Sequence, residues 1–365
     1  MPMRIVYCLA LLAGSALAGC SAVDGLARRV AEPESAPMPW TRLIETTPGF
    51  AEVLRTGTTP ADGPERPELA WRIVDPGEFE VDTRFERRVD PAGHTTHMAV
   101  ELDFRAPPKS DAARRPRATV LLLHGWAMDK DSTLPWAFAF ADAGWRAVLL
   151  DLRNHGASGR APAGFGPREA VDVARAIDDL RQRGELVGPL VLLGMSYGAA
   201  VALETAARHE AVAAVVALEP FANAGAAVRD MLDDGLAGRG GPVGLRLARW
   251  RYGDVDRDAV VAAASARLGL DLDSVGPGDA LAAWPRCTLL LHGAADRMLP
   301  PAHSRALAMA APRARLAVVD GEDHLSLPLR LDRLARPVIA WATAAATTST
   351  DASCPAFALP ATGDP

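Results

Sequence analysis

Lysine is nearly missing from this 365-residue chain: only Lys109 and Lys130 carry it, and arginine supplies the rest of the 39 basic side chains. Against 45 acidic residues the formal net charge is −6, so no overall basic field exists to hold a phosphate backbone, which argues against nucleic-acid binding. No His-Glu-x-x-His pair, no Cys-x-x-Cys pair and no phosphate-cradling Gly-Lys motif occurs. The segment Asp271 to Gly276 lacks the ligand spacing of a calcium loop, so the expectation is a protein that needs no metal, nucleotide or other cofactor. There is no internal repeat. The apolar run from Ile5 to Leu17 is too short to cross a hydrocarbon core of ~30 Å comfortably.

What is present is the composition of a folded globule, 49% hydrophobic and 23% charged, with room for one large domain or two ordinary ones. From Arg117 onward, short apolar runs alternate with helical stretches. The runs are Ala118 to Leu123, Arg146 to Leu150, Leu190 to Leu193, Val212 to Leu218, Cys287 to Leu291 and Arg315 to Val319. Strands apolar on both faces belong inside a parallel sheet covered by helices. The helical stretches are Leu134 to Ala143, Pro167 to Arg183, Tyr197 to Arg208, Ala302 to Ala311 and Leu329 to Thr343. The order predicts an α/β fold with a mostly parallel, doubly wound sheet. Residues 221–286 form an interval too long for an ordinary crossover, read as an inserted helical cap. Its stretch Val243 to Arg251 mixes apolar residues with arginines, as a lid or as a cap helix with solvated charges. Upstream, Leu69 to Val74, Glu78 to Phe85 and Met98 to Phe104 alternate in the manner of an antiparallel lead-in, and Phe50 to Arg55 could form a short helix.

Gly194-Met195-Ser196-Tyr197-Gly198 follows one of the apolar runs and opens an Ala-rich helix. A serine at a tight strand-to-helix turn is pushed out of the sheet above a helix N-terminus, which places it as a nucleophile. A serine nucleophile needs a base, and the base an orienting acid. His303 and His324 lie downstream; His324 follows the last strand, at the sheet edge where catalytic groups are presented, whereas His303 reads as an exposed helix residue. Asp296 lies beyond the preceding strand at the same edge and is the candidate acid. Asp320 and Asp323 adjoin His324 too closely to reach its far ring nitrogen. The oxyanion donors are expected to be the backbone N–H groups of Tyr197 and Trp126. His124 and His155 read as loop-ordering residues.

In this order, His124-Gly125-Trp126, Asp151 to Gly159, Gly194 to Gly198, His292 to Asp296 and Gly321 to His324 resemble the α/β-hydrolases. The stretches Phe165 to Ala174 and Glu219 to Ala222 are similar to the peptidase-like and monoacylglycerol-lipase-like branch. The resemblance implies a serine hydrolase with Ser196, Asp296 and His324 as triad. Carboxylic-ester cleavage through an acyl-enzyme is the first reading. Peptidase or amidase activity is the second, and it would call for an acidic anchor, for which Glu219 is the candidate. Acyl transfer to an acceptor other than water is also open, as is a non-catalytic binding lipoprotein that keeps the fold.

The N-terminus has its own signature. Arg4, the apolar run and Leu17-Ala18-Gly19-Cys20 resemble a bacterial lipobox, which implies removal of residues 1–19 as a signal peptide and lipidation of Cys20. Ser21, rather than Asp, after that cysteine favours the periplasmic side of an outer membrane. Residues 20–68 are rich in Pro, Glu, Thr and Gly and read as a tether, residues 69–345 as the hydrolase domain, and 346–365 as a tail. After processing, Cys287 and Cys354 remain, either as a disulfide from tail to core or as two thiols. The expected partners are a small ester or amide substrate and, through the lipid, a membrane of the bacterial cell envelope; no protein partner is required. Mass spectrometry of the membrane fraction should find a diacylglyceryl mass on a peptide that begins at Cys20, and an unmodified N-terminus would end that reading.

Overall fold

The structure, a computed structural model, describes residues 22–35, 41, 53–77, 80–89, 95–105, 115–236 and 252–359. The expected signal segment, Cys20 and the stretch 243–251 lie outside the described residues.

Helix α1 (Ala22–Ala31) is followed by β1 (Leu54–Thr59) and β2 (Leu69–Val74). Among the described residues, strands β3 (Glu80–Val89) and β4 (Thr95–Arg105) pair only with each other. Then come β5 (Thr119–Leu123), α2 (Leu134–Asp142), β6 (Arg146–Leu150), α3 (Pro167–Gln182), β7 (Leu190–Met195), α4 (Tyr197–Arg208) and β8 (Val212–Leu218). Helices α5 (Ala224–Leu236), α6 (Arg257–Leu268) and α7 (Gly278–Ala283) precede β9 (Thr288–Gly293), and α8 (Ala302–Ala310), β10 (Ala314–Val319) and α9 (Leu331–Ala346) complete the order. The fold is that of the α/β-hydrolases, with an eight-stranded sheet ordered β1-β2-β6-β5-β7-β8-β9-β10. It is parallel from β6 to β10, and β1 and β2 run antiparallel at one edge.

The apolar runs form central strands because alternate side chains enter two different cores. On β5, Leu121 and Leu123 belong to one core with Val173, Ile177 and Leu180 of α3 and the alanines of α4, whereas Val120 and Leu122 belong to the other with Trp136 and Phe138 of α2 and Leu334 and Val338 of α9. Burial on both faces leaves no polar side in these strands, which is why they read as unbroken hydrophobic stretches. From β5 the chain steps to β6 on one side and to β7 on the other. In open α/β sheets such a reversal is where a crevice forms, at the carboxyl ends of the strands.

Two pieces of the 20–68 stretch expected to be tether belong to the fold. Helix α1 buries Leu26, Ala27 and Ala31, lies against α6, and its Asp24 pairs with Arg267 at 2.6 Å. Of the short helix expected from Phe50 to Arg55, residues 50–52 lie outside the described residues, and Leu54 and Arg55 instead begin strand β1 at the sheet edge; its polar sequence Leu54-Arg-Thr-Gly-Thr-Thr59 hides its strand character, which comes from pairing along β2. The three-stranded lead-in also divides: β2 joins the main sheet, while β3 and β4 form their own hairpin. Among the described residues no helix is long and apolar enough to cross a membrane.

At the tail, the two cysteines form a disulfide between Cys287, just before β9, and Cys354, 67 residues further on. The returning chain is also held by the Trp341 indole N–H on the Pro355 carbonyl at 3.1 Å and by Arg313 on the Ala352 carbonyl at 2.9 Å. Closing a loop of this length removes unfolded-state entropy worth about 4 kcal/mol as an upper figure. Replacing both cysteines by serine should lower the unfolding free energy by roughly 2–4 kcal/mol in a denaturant titration, and an unchanged midpoint would show that the bond does not hold the tail.

Candidate active site

The turn between β7 and α4 has no space for side chains around Ser196. A β-carbon at Gly194 would stand 2.1 Å from the Gly198 carbonyl oxygen, and one at Gly198 would stand 2.3 Å from that of Leu123. With both positions bare, the backbone closes tightly enough to hold Ser196 at φ 51°, ψ −112°, a conformation that L-residues seldom adopt. The Ser196 backbone N–H donates to the Leu218 carbonyl at 2.7 Å, fixing the turn to the neighbouring strand.

Three of the residues singled out in the sequence come together here. Ser196 Oγ lies 2.9 Å from His324 Nε2, and His324 Nδ1 lies 2.8 Å from Asp296 Oδ2. Nδ1 donates to the carboxylate, which leaves Nε2 to accept from the serine hydroxyl. Asp296 Oδ1 accepts the Leu299 N–H at 2.8 Å, and His292 Nε2 approaches Oδ2 at 3.1 Å while also meeting the Leu299 carbonyl. Burial acts to raise the Asp296 pKa. The His324 charge and the bonds from His292, His324 and Leu299 outweigh it and hold the carboxyl below its ordinary range. An ionised carboxylate on Nδ1 fixes the tautomer in which Nε2 can take a proton.

Trp126 follows β5 on the strand next to β7. Neither its backbone N–H nor that of Tyr197 meets an acceptor among the described residues, so both are free to bind a developing oxyanion. The Trp126 ring stacks on Phe165 at 4.9 Å and meets Tyr197 edge-on at 4.8 Å, which packs the loop after β5 onto the core beside Ser196.

The loop histidines are structural in their contacts. His124 Nδ1 meets the Gly125 carbonyl and Nε2 accepts the Leu152 N–H; His155 bridges the Arg153 carbonyl and the Ala127 N–H. Burial pushes the pKa of both down, His155 to about 3, so they are neutral linkers between the loops after β5 and β6. His303 corrects the sequence expectation. It is buried, not exposed, because α8 begins beneath the chain leading into α5. There Nδ1 accepts the Ala222 N–H at 3.1 Å and Nε2 reaches Asp230 at 2.9 Å. Asp323 stays off the His324 ring: Arg87 of β3 pairs with it at 2.8 Å, and it caps the turn through the Leu325 and Ser326 N–H groups. That clamp from β3 onto the loop carrying His324 was invisible in the sequence, whereas the bracing of Asp296 by His292 had their spacing of four residues as its one signal.

Glu219 falls behind the base and not in front of the serine. It is fully buried directly after β8, with Oε2 3.5 Å from His324 Nδ1. Glu219, Asp296 and His324 are the one group among the described residues whose donor atoms lie close enough to suit a metal ion. Both His324 nitrogens are already engaged with Asp296 and Ser196, so the set fits an oriented base better than a metal centre.

A profile of the alpha/beta hydrolase family matches residues 120–336. The uncharacterized protein YqkD of Bacillus subtilis is 31% identical over 91 residues, which span 25% of this chain and 30% of that protein. Matches to curated relatives cover 30% to 59% of those proteins' lengths. Among solved structures, the esterase Pf2001 of Pyrococcus furiosus superposes with a TM-score of 0.57 at 15% identity, covering 86% of this chain and 99% of that one. A membrane phospholipase A described as a bacterial virulence factor superposes with a TM-score of 0.53 at 20% identity, covering 85% and 92%. These structural likenesses carry the fold. With the family profile spanning more than half of its length, the chain belongs to the alpha/beta hydrolase family.

Proposed function

We propose that this protein is a serine hydrolase that cleaves carboxylic esters through an acyl-enzyme. The reading is carried by the continuous chain from Ser196 through His324 to Asp296, at 2.9 and 2.8 Å, beside two unengaged backbone N–H groups. Ser196 Oγ attacks the ester carbonyl carbon as its proton passes to His324 Nε2, and the N–H groups of Trp126 and Tyr197 hold the oxyanion. The intermediate collapses with rupture of the C–O bond, and the leaving alkoxide takes the proton back from Nε2. Water then repeats both steps on the acyl-enzyme, releasing the acid and restoring Ser196. Asp296 orients the ring and offsets its charge while it is an imidazolium.

Ester cleavage is favoured over peptide cleavage by the position of Glu219. This acid, the candidate anchor for a substrate amine, is enclosed behind His324 and offers nothing to the substrate side. The reading includes a lipid on Cys20 as anchor to a membrane of the cell envelope. Because α1 begins two residues after that cysteine and lies against α6, such an anchor would hold the inserted segment near the bilayer surface. A membrane-resident acyl ester suits that placement.

A fluorophosphonate probe should label the mature protein and leave Ser196→Ala unlabelled; labelling that survives the substitution would place the nucleophile elsewhere. His324→Ala should reduce kcat on a p-nitrophenyl ester by roughly 10³-fold or more with the thermal midpoint retained. A panel of esters and peptide anilides of matched acyl group completes the test, with turnover of esters expected to dominate, and preferential anilide cleavage would overturn the ester assignment.

A further inference from the structure

Ester cleavage by Ser196, His324 and Asp296 leaves one buried acid unused. Glu219 is wholly enclosed, follows directly on β8, and takes a left-handed backbone conformation at φ 53°, which a residue with a β-carbon enters only at a cost. Its backbone N–H is tied to the Leu291 carbonyl at 2.8 Å, so the residue is seated between β8 and β9. One carboxyl oxygen meets the Gly293 N–H at 3.4 Å; the other has no hydrogen-bond partner and lies 3.5 Å from His324 Nδ1. A buried polar atom without a partner is costly, and here it is directed at the ring nitrogen that already faces Asp296.

We propose that Glu219 is a second positioning residue for His324, sharing the Nδ1 side of the ring with Asp296 and able to orient the base in its place. This rests on the hydrolase reading of Ser196 and His324. The division of labour follows from charge. Apart from the ring itself, the charged groups acting on Glu219 are acidic: Asp296 foremost, then Asp323, which Arg87 meets from β3, and Glu322, which is paired with Arg330 and Arg333 as well as Arg87. Burial, and after it the Asp296 carboxylate, push the Glu219 pKa well above the ordinary range, so with Asp296 ionised it stands neutral. Neutralising Asp296 removes the largest of those repulsions. Glu219 can then ionise and accept the Nδ1 proton, keeping the base in its working tautomer.

The test compares wild type, E219Q, D296N and D296N/E219Q by fluorophosphonate labelling rate and by kcat on a p-nitrophenyl ester from pH 5 to 9, with thermal midpoints measured alongside. In D296N the rate should survive and climb with pH as Glu219 loses its proton. Adding E219Q should remove at least a further tenfold and that rising limb, while E219Q in the wild-type background costs less than it does in D296N. If E219Q does not fold, E219D serves instead: it keeps the charge but withdraws the oxygen from His324 by one methylene, and should mimic Gln in the D296N background. Equal rates and equal pH profiles for D296N and the double variant would overturn the proposal. An unlabelled wild type would instead overturn the hydrolase reading, and this inference with it.

Discussion

The close approach of backbone around Ser196 governs the site. Gly198 lets α4 start against the Leu123 carbonyl, and Gly194 lets β7 run beneath the first turn of that helix. Any β-carbon at either place would force the strand and helix apart, and the serine would no longer project from the sheet. The strain at Ser196 is held because β7 lies between β5 and β8 and cannot relax without breaking their ladders. A rigid parallel sheet thus supplies the energy that keeps one residue in an unfavourable conformation.

Around that turn, five strand ends deliver their loops to one edge. Trp126 comes after β5, Ser196 after β7, Glu219 after β8, Asp296 after β9 and His324 after β10. Each loop is then secured by its own polar contacts. His124 and His155 link the loops after β5 and β6, the latter anchored by Asp151, which takes the Lys130 ammonium at 2.7 Å. His292 and Leu299 brace Asp296, and Arg87 holds the turn before His324. These groups meet neither the serine nor the crevice, yet the short distances of the Ser196–His324–Asp296 chain depend on them.

The electrostatics divide two neighbouring carboxyls. Asp296 is enclosed but accepts hydrogen bonds from the His324 Nδ1–H and a backbone N–H, so it remains charged; Glu219, enclosed with poorer partners and an acidic neighbour, is pushed toward its neutral form. Two ionised carboxylates could not share so dry a site at low cost. The buried imidazoles of His124 and His155 follow the same rule in reverse and stand neutral.

Most of the sheet was legible in the amino-acid order, because its central strands are apolar on both faces and each ends in a small or polar residue where a loop begins. The serine turn was legible too, since its two glycines and the following Ala-rich helix have a local steric cause. Where the determinants are local, sequence suffices. Strand β1 was not legible, because its polar residues adopt an extended form only by pairing with β2; nor was the burial of His303, which requires Asp230 and Ala222 to be folded over it. The place of α1 against α6 depends on packing between segments more than two hundred residues apart, and the amphipathic face of α1 does not by itself name its partner. Glu219 shows the division most sharply. The sequence by itself put an acid at the end of β8, but whether that acid faced a substrate or the back of His324 was decided by the twist and register of β8 against β9, which only the tertiary structure sets.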